Sequence, residues 1–530
     1  MTDDQEKPGT PASDDWTQVS RRGWIKTLVS VPVLGVFFYN FLRKRAADEA
    51  KKQAVMAELG VQESGPAVIA NAISKPPSER IRVGIIGYGG EGEALVRHAG
   101  FAAPDWIEDA RKRVADDPRD KQLETYLTQD DLNIAITGVC DVFDVRAERG
   151  VAASAIDVRP GNGGSNPPAK RFRRYTDMLE SGDVDAVIIG TPDSWHARMT
   201  VDAAAAGIHV YCEKCFTRTE EEALAAHAAV TNSNIVFQLG HQNRQSEAHN
   251  KAREVIAANI LGPITLVEST TNRNTPWGAW VWDIHEKGSP ETIDWAQFEE
   301  TAPNKVPFSL ERFFRWRCWF DYGTGLAGDL LSHEYDGVNQ ILQVGIPASC
   351  VASGGIYYFK DGRDVPDTFQ AVYEYPDRDL TFVYSATLAN GRDRGLTFMG
   401  HDASMRVSGS LSVQAEYDST RYQQKIEDKL IDPSQPMFTY RPGFKGIDAV
   451  TSATERYFAS RGLLYTYRGG RRVSAYHLLI GEWLDVIRNG GETSCNIERA
   501  FEEAITCHMA TRSYLENRKV TWDPVRRRIV

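Results

Sequence analysis

From residue 81 onward, short apolar runs rich in β-branched residues alternate with longer stretches of helical period. Ile81-Arg82-Val83-Gly84-Ile85-Ile86 has the near-continuous apolarity of a strand buried on both faces. It runs into Gly87-Tyr88-Gly89-Gly90-Glu91-Gly92 and then the helix-compatible Ala94-Leu95-Val96. Further strands are expected over residues 133–139, 186–190 and 209–212, with a helix over 197–206 and a charged helical insertion over 103–131. Strands alternating with helices imply a doubly wound parallel sheet that binds ligands at the carboxyl ends of its strands. Beyond residue 350 the period changes. Residues 355–358, 369–375, 380–386 and 396–399 alternate as half-buried sheet strands do, while 475–489 and 496–517 read as helices, the second capped by Asn496.

Strand, G-x-G-x-x-G and helix in succession form the dinucleotide fingerprint. Gly87 permits the tight turn, Gly89 and its neighbour Gly90 let backbone approach a pyrophosphate, and Gly92 allows close packing of helix on strand. The helix N-terminus adds N–H groups and positive dipole. The second strand ends at Asp141, where a carboxylate accepts ribose hydroxyls and repels a 2′-phosphate, favouring NAD over NADP. Asp141 lies 49 residues beyond Gly92, against about 20 in the usual spacing; the insertion at 103–131 accounts for the excess. The plain alternative is a solvated carboxylate at a strand end.

Composition narrows the partners. The 530 residues include 61 Lys plus Arg against 72 Asp plus Glu, a net charge of −11, with 42% hydrophobic residues. Such a chain forms ordinary globular domains, and its lack of a basic block in the body excludes nucleic acid as a partner. The seven scattered cysteines do not form a disulfide framework. Cys212 and Cys215 have CxxC spacing without a second pair or nearby histidines, so they read as buried small residues and no metal site is expected.

The N-terminus has a different character. Arg21-Arg22-Gly23-Trp24-Ile25-Lys26 precedes sixteen uncharged residues, 27–42, and then Arg43-Lys44-Arg45. This resembles a twin-arginine export signal. With no small-residue cleavage site close behind it, residues 1–50 are read as an uncleaved membrane anchor and 51–80 as a linker. The expected location is periplasmic, with membrane contact through this segment.

The residues resemble the Gfo/Idh/MocA oxidoreductase family (glucose-fructose oxidoreductase, inositol dehydrogenase and rhizopine catabolism). The resemblance is carried by the Gly-rich loop, by Thr191-Pro192 with His196, and by Glu213-Lys214 ending a strand. Gly240-His241-Gln242-Asn243-Arg244 and the run from Gly323 to His333 continue it. It implies an α/β protein: a Rossmann domain over 81–240, then over 241–530 an α/β domain with a large open, mostly antiparallel sheet. It also implies a homodimer or homotetramer and a sugar, cyclitol or related polyol as substrate. By position, Lys214 matches the family's Glu-Lys-Pro lysine, and Asp329 with His333 its Asp-x-x-x-His pair; these three are the catalytic candidates. Thr191, Pro192, His196, Glu213 and Lys214 join Gly87, Gly89, Gly90, Gly92 and Asp141 as cofactor contacts. Cys215 departs from the family, standing where proline is usual.

Six of twelve tryptophans (Trp277, Trp280, Trp282, Trp295, Trp316, Trp319) fall within residues 277–319, together with Arg312, Arg315, Arg317 and Phe313-Phe314. Aromatic faces pack on sugar C–H faces, and guanidinium forks bind hydroxyls or carboxylates. Arg244, Trp316, Arg317 and Trp319 are the substrate candidates, and Asp283 with His285 offers a further polar contact. The expected activity is hydride transfer between NAD and a secondary hydroxyl carbon. Alternatives are an NAD-dependent glycosidase working by oxidation, elimination and reduction, or a non-catalytic sugar-binding relative.

Overall fold

The computed structural model describes residues 79–157, 159, 166–442, 466–468 and 471–530. The twin-arginine segment and all but the last two residues of the linker lie outside the described residues.

The first sheet has six strands: β1 (Ile81–Ile86), β2 (Ile134–Cys140), β3 (Lys170–Phe172), β4 (Ala186–Ile189), β5 (His209–Cys212) and β6 (Phe237–Leu239). All pair in parallel in the order β3-β2-β1-β4-β5-β6. This is the strand order of a dinucleotide-binding fold, with its topological switch point between β1 and β4. Helices cover both faces, which is why β4 is buried at all four positions. The charged insertion forms two helices, Pro104–Asp116 and Gln122–Leu127. The helix expected over 197–206 begins earlier, at Asp193, because Pro192 takes the N-cap position in extended conformation and Asp193 enters the first turn. A carboxylate there suits the positive end of the helix dipole.

The second sheet comprises β7 (Ile264–Asn272), β8 (Ser349–Gly355), β9 (Thr368–Tyr375), β10 (Leu380–Thr387), β11 (Gly395–Gly400), β12 (Ala403–Val407), β13 (Leu411–Ala415) and β14 (Phe438–Tyr440). β15 (Thr466–Arg468) and β16 (Arg471–Val473) pair apart from it, and β17 (Val520–Asp523) and β18 (Arg528–Ile529) complete its edge. The order is β14-β13-β12-β11-β7-β10-β9-β8-β17-β18, and every pairing is antiparallel except β7 with β10.

The strand expected over 355–358 is not formed. β8 ends at Gly355, and the Asp367 carboxylate accepts the backbone N–H groups of Tyr357, Tyr358 and Phe359, so none is left for a ladder.

Two C-terminal helices tie the halves together. Ile497–Glu516 buries its middle from Phe501 to Ala510 almost completely, and the Asn496 side chain accepts the Arg499 N–H at 3.2 Å. Ala475–Asn489 returns to the first sheet, where Leu479, Ile480, Trp483 and Leu484 join Val83, Ile85 and Tyr211 in one core. The nucleotide-binding half thus recruits a helix from far beyond residue 240. Among the described residues, no helix is long and apolar enough to cross a membrane.

Candidate active site

A cleft of about 600 Å³ opens at the carboxyl ends of β1, β4 and β5 and is closed on its far side by the segment between β7 and β8. Gly87 turns the chain out of β1 with φ +87°, and a Cβ there would meet the Gly190 backbone at 2.8 Å. A Cβ on Gly92 would lie 2.0 Å from the Gly87 carbonyl oxygen, so the helix Gly90–His98 packs this closely only with glycine. At Gly90 the space is open, and Gly87, Gly89 and Gly90 all line the cleft. An open glycine surface at a helix N-terminus fits a pyrophosphate.

Asp141 lines the same cleft. Its Oδ2 accepts the Tyr88 N–H at 2.7 Å and its Oδ1 the Phe143 N–H at 2.8 Å, which lock the Gly-rich turn to the end of β2. Burial pushes its carboxyl up, with Arg146 and the two N–H groups opposing. Arg146, which the sequence did not single out, also lines the cleft. Its guanidinium lies 5.7, 5.4 and 5.3 Å from the ring centres of Phe143, Phe313 and Phe314. Only its place five residues after Asp141, on the first helix beyond β2, could have signalled it.

Thr191 and Pro192 line the cleft, but His196 stands behind it. His196 is fully buried, with Nδ1 2.6 Å from the Cys215 carbonyl and Nε2 2.9 Å from that of Thr191. It therefore positions the backbone on either side of the site. This clamp holds the Lys214–Cys215 step, a cis peptide without proline. Cys212 and Cys215 are buried free thiols. Among the described residues, no group of three or more His, Cys, Asp or Glu side chains is arranged to hold a metal ion.

Lys214 reaches across to the second half. Its Nζ donates to Asp329 Oδ1 at 3.0 Å and to the Asp329 carbonyl at 3.2 Å. Arg317 Nε donates to the same Oδ1 at 2.9 Å, and Trp280 Nε1 to Oδ2 at 2.9 Å. Burial pushes the Asp329 carboxyl up, but Lys214, Arg317 and Arg273 outweigh it and hold the group well below the usual carboxylate range. Burial likewise pulls Lys214 down, yet Asp329 more than restores it, so its pKa is raised. The lysine is thus a held ammonium, not the free base that desolvation beside a cation would make.

His333 behaves oppositely. Burial, then Lys214 and His241, keep its pKa well below the ordinary value. It lines the cleft as a neutral imidazole, with the His241 ring edge-on at 5.6 Å and no hydrogen bond within the described residues. Asp329 sits in a π-helical turn, Ala327–Leu331, that continues into the helix Ser332–Leu342. Such turns occur often at functional sites. Both residues of the i, i+4 pair line the cleft, as a shared helical face requires.

Glu213 lines the cleft beside Lys214. Its Oε2 accepts the Lys214 N–H at 3.3 Å, while its buried Oε1 has no partner among the described residues. Burial and then Glu91 push its carboxyl well up, with Lys214 and Arg317 opposing. An unpartnered polar atom beside an open glycine loop fits a cofactor ribose or amide.

On the substrate side, Trp316 and Arg317 line the cleft with Trp277, Trp280, Trp282 and Arg273. Arg244 does not. It is buried, with Nε on Asp336 Oδ1 at 2.7 Å, Nη1 on the Ser494 carbonyl at 2.6 Å and Nη2 in ion-pair contact with the same Asp336 oxygen, so its guanidinium is engaged within the fold. Trp319 is buried under Arg312, whose guanidinium is 5.1 Å from its ring centre, and Trp295 donates to the Val306 carbonyl. Neither lines the cleft. Asp283 and His285 are exposed outside it.

Comparison with known proteins agrees with this architecture. The chain matches the Gfo/Idh/MocA models at residues 81–241 ("Oxidoreductase family, NAD-binding Rossmann fold") and 292–522 ("Oxidoreductase family, C-terminal alpha/beta domain"). Levoglucosan dehydrogenase of Pseudarthrobacter phenanthrenivorans is 26% identical over 279 residues, 47% of this chain and 64% of that protein. The rhizopine catabolism protein MocA of Rhizobium meliloti is 34% identical over 117 residues, 22% of this chain and 35% of that protein. The matched stretches span less than two thirds of either relative. A solved levoglucosan dehydrogenase in complex with NADH and levoglucosan aligns with a TM-score of 0.53 at 18% identity, covering 84% of this chain and 99% of that one. The likeness is one of fold. With both halves matched in order, the chain belongs to the Gfo/Idh/MocA oxidoreductase family.

Proposed function

We propose that this protein is an NAD-dependent oxidoreductase that transfers hydride between nicotinamide and a secondary hydroxyl carbon of a sugar or polyol. The observation that carries the reading is the Lys214–Asp329 pair at 3.0 Å, formed across a cleft whose opposite wall is the Gly-rich loop, with neutral His333 beside it.

NAD, when bound, supplies the hydride acceptor; Gly87, Gly89, Gly90, Asp141 and Glu213 are the residues that would hold it. The chain's own task is the proton. A carbonyl forms only as the hydroxyl proton departs, and neutral His333 is the group able to take it. Lys214, kept protonated by Asp329, stabilises the developing alkoxide and excludes a second proton acceptor from that side. Asp329 orients both Lys214 and Arg317. In the reverse direction His333 must be protonated first. The relative named levoglucosan dehydrogenase supports a sugar-derived substrate.

The test is NADH formation from NAD and a panel of sugars, cyclitols and glycosides. Substrate-dependent NADH supports the reading. Release of an aglycone without net NADH would replace it by a redox-neutral glycosidase, and binding without either would leave a sugar-binding relative.

We further propose that the enzyme is exported folded and tethered at the periplasmic membrane face through residues 1–50, and that it assembles as a homodimer or homotetramer. The paired Arg21-Arg22 ahead of an uncharged stretch supports export. Replacing both arginines by lysine should block export, and normal export of that variant would contradict the reading.

A further inference from the structure

The tryptophan-lined part of the cleft offers more guanidinium donors than the fold itself uses. The lining holds four cations (Arg146, Lys214, Arg273, Arg317) and four carboxyls (Glu91, Asp141, Glu213, Asp329), and three of the cations, Lys214, Arg273 and Arg317, act together on Asp329. Asp329 is fully committed, its Oδ1 to Lys214 and Arg317 and its Oδ2 to Trp280. Burial and Glu91 push the carboxyl of Glu213, which also lines the cleft, well up from its ordinary value.

Two guanidinium groups consequently have donors to spare. Arg273 follows the end of β7, its backbone N–H donates to the Thr387 carbonyl, and its guanidinium makes one hydrogen bond among the described residues, from Nη1 to the Gly278 carbonyl at 3.4 Å. Among the described residues, no carboxylate lies within ion-pair distance of it. The position is built: a Cβ on Gly278 would approach Arg273 Cβ to 3.1 Å and Cδ to 3.3 Å, so the loop runs this close to the arginine only with glycine or by displacing it. The Arg317 guanidinium lies over Trp316, 4.1 Å from the ring centre, with the Trp282 ring centre at 5.1 Å. Only its Nε is bonded within the fold, leaving the terminal nitrogens free among the described residues.

A sugar hydroxyl both donates and accepts, so sites for neutral polyols balance acceptors against donors. Here the surplus is of donors, in planar forks that match a carboxylate or phosphate bidentately. We infer that the substrate is a sugar or polyol bearing an anionic oxygen group, a carboxylate or a phosphate, which Arg273 and Arg317 bind while the ring lies against the tryptophans. This rests on the proposed oxidoreductase reading of the same cleft. Burial of that group also explains why three cations can stand together around one carboxylate.

The experiment compares D-glucuronate and D-galacturonate, and separately D-glucose 6-phosphate, with D-glucose and D-galactose on the full-length enzyme saturated with NAD at fixed ionic strength. Thermal shift reads binding and NADH formation reads turnover. The acids should bind and turn over better than their neutral partners, and the uronates and the phosphate ester tell the two anions apart. Arg273→Gln should lower the acid-over-neutral ratio of kcat/KM by about 10- to 100-fold, the scale of a charge-assisted contact. Arg273→Lys should retain part of it, and NAD affinity should be unchanged in both. Neutral sugars performing as well as the acids, or a ratio untouched by Arg273→Gln, would overturn the inference while leaving the oxidoreductase reading intact. Acid binding without NADH from any sugar would support the anion site and overturn the oxidoreductase reading instead.

Discussion

The Lys214 ammonium donates to Asp329 Oδ1 at 3.0 Å across 115 residues of sequence, joining the end of β5 to a π-helical turn of the second half. The contact settles the protonation of both partners, since each holds the other charged against burial. It also leaves His333, one turn further along, as the neutral group of the site.

Asp329→Asn should leave Lys214 and Arg317 without their counter-ion. Removing one member of a buried ion pair typically costs about 3–5 kcal/mol. The variant should lose stability on that scale, measured by denaturant unfolding, and its Lys214 pKa should fall. A loss below 1 kcal/mol would mean that the pair is solvated.

Gly328 is the tightest position of the turn. An added Cβ would lie 1.7 Å from Thr324 Oγ1 and 2.9 Å from Cys215 Sγ. Thr324 is itself fixed, its hydroxyl donating to Asp193 Oδ2 at 2.6 Å across the two halves. Gly328→Ala should therefore displace Asp329 from Lys214, costing about 1–3 kcal/mol of stability and most of the activity. Wild-type turnover and melting temperature in this variant would show that the turn tolerates the change.

NAD should bind better than NADP, and Asp141→Ser should narrow the gap by roughly tenfold, because Arg146 would then face a 2′-phosphate without a neighbouring carboxylate. Dissociation constants for the two cofactors test this. Tighter NADP binding by the unmodified protein would contradict it.

His508 supplies a pH signature. It is buried 3.0 Å from Thr217 Oγ1, and burial, with Arg218, lowers its pKa from 6.5 to about 3. Between those values the unfolded chain takes up a proton that the folded chain refuses, so stability falls as pH falls, by at most about 1.4 kcal/mol per pH unit. Glu334, raised to about 7 by burial, acts with the opposite sign: its contribution is present below 4.5 and lost as pH rises through 7. Comparing wild type with His508→Gln isolates the histidine. The wild-type melting temperature should drop more steeply than the variant's between pH 6.5 and 4, and parallel curves would refute the assignment.

The nucleotide-binding half was legible because its strands are apolar runs whose turns need glycine for steric reasons: β1 and β5 fall where the pattern puts them. Lys214, Asp329 and His333 were legible only through family resemblance, since nothing local to residue 214 reveals a partner 115 residues away. The resemblance misled at Arg244, which ends the Gly240-to-Arg244 run but is held by Asp336 away from the cleft. Arg273 and Arg146 were missed for the converse reason. Each is a single charge at the end of an ordinary element, and its role depends on which carboxylates the fold leaves out of reach. The tryptophan cluster was visible as a density, but four of its members line the cleft while Trp295 and Trp319 fill the fold beside it.

The most direct test of the central claim is the kcat of His333→Ala, measured alongside its NAD dissociation constant. A positioned acid–base group contributes about 10²–10⁴ in rate. The account predicts a fall of that size in kcat, with NAD affinity and melting temperature near wild type. A variant that keeps its kcat but loses stability would make His333 a packing residue and remove the proton acceptor on which the proposed chemistry depends.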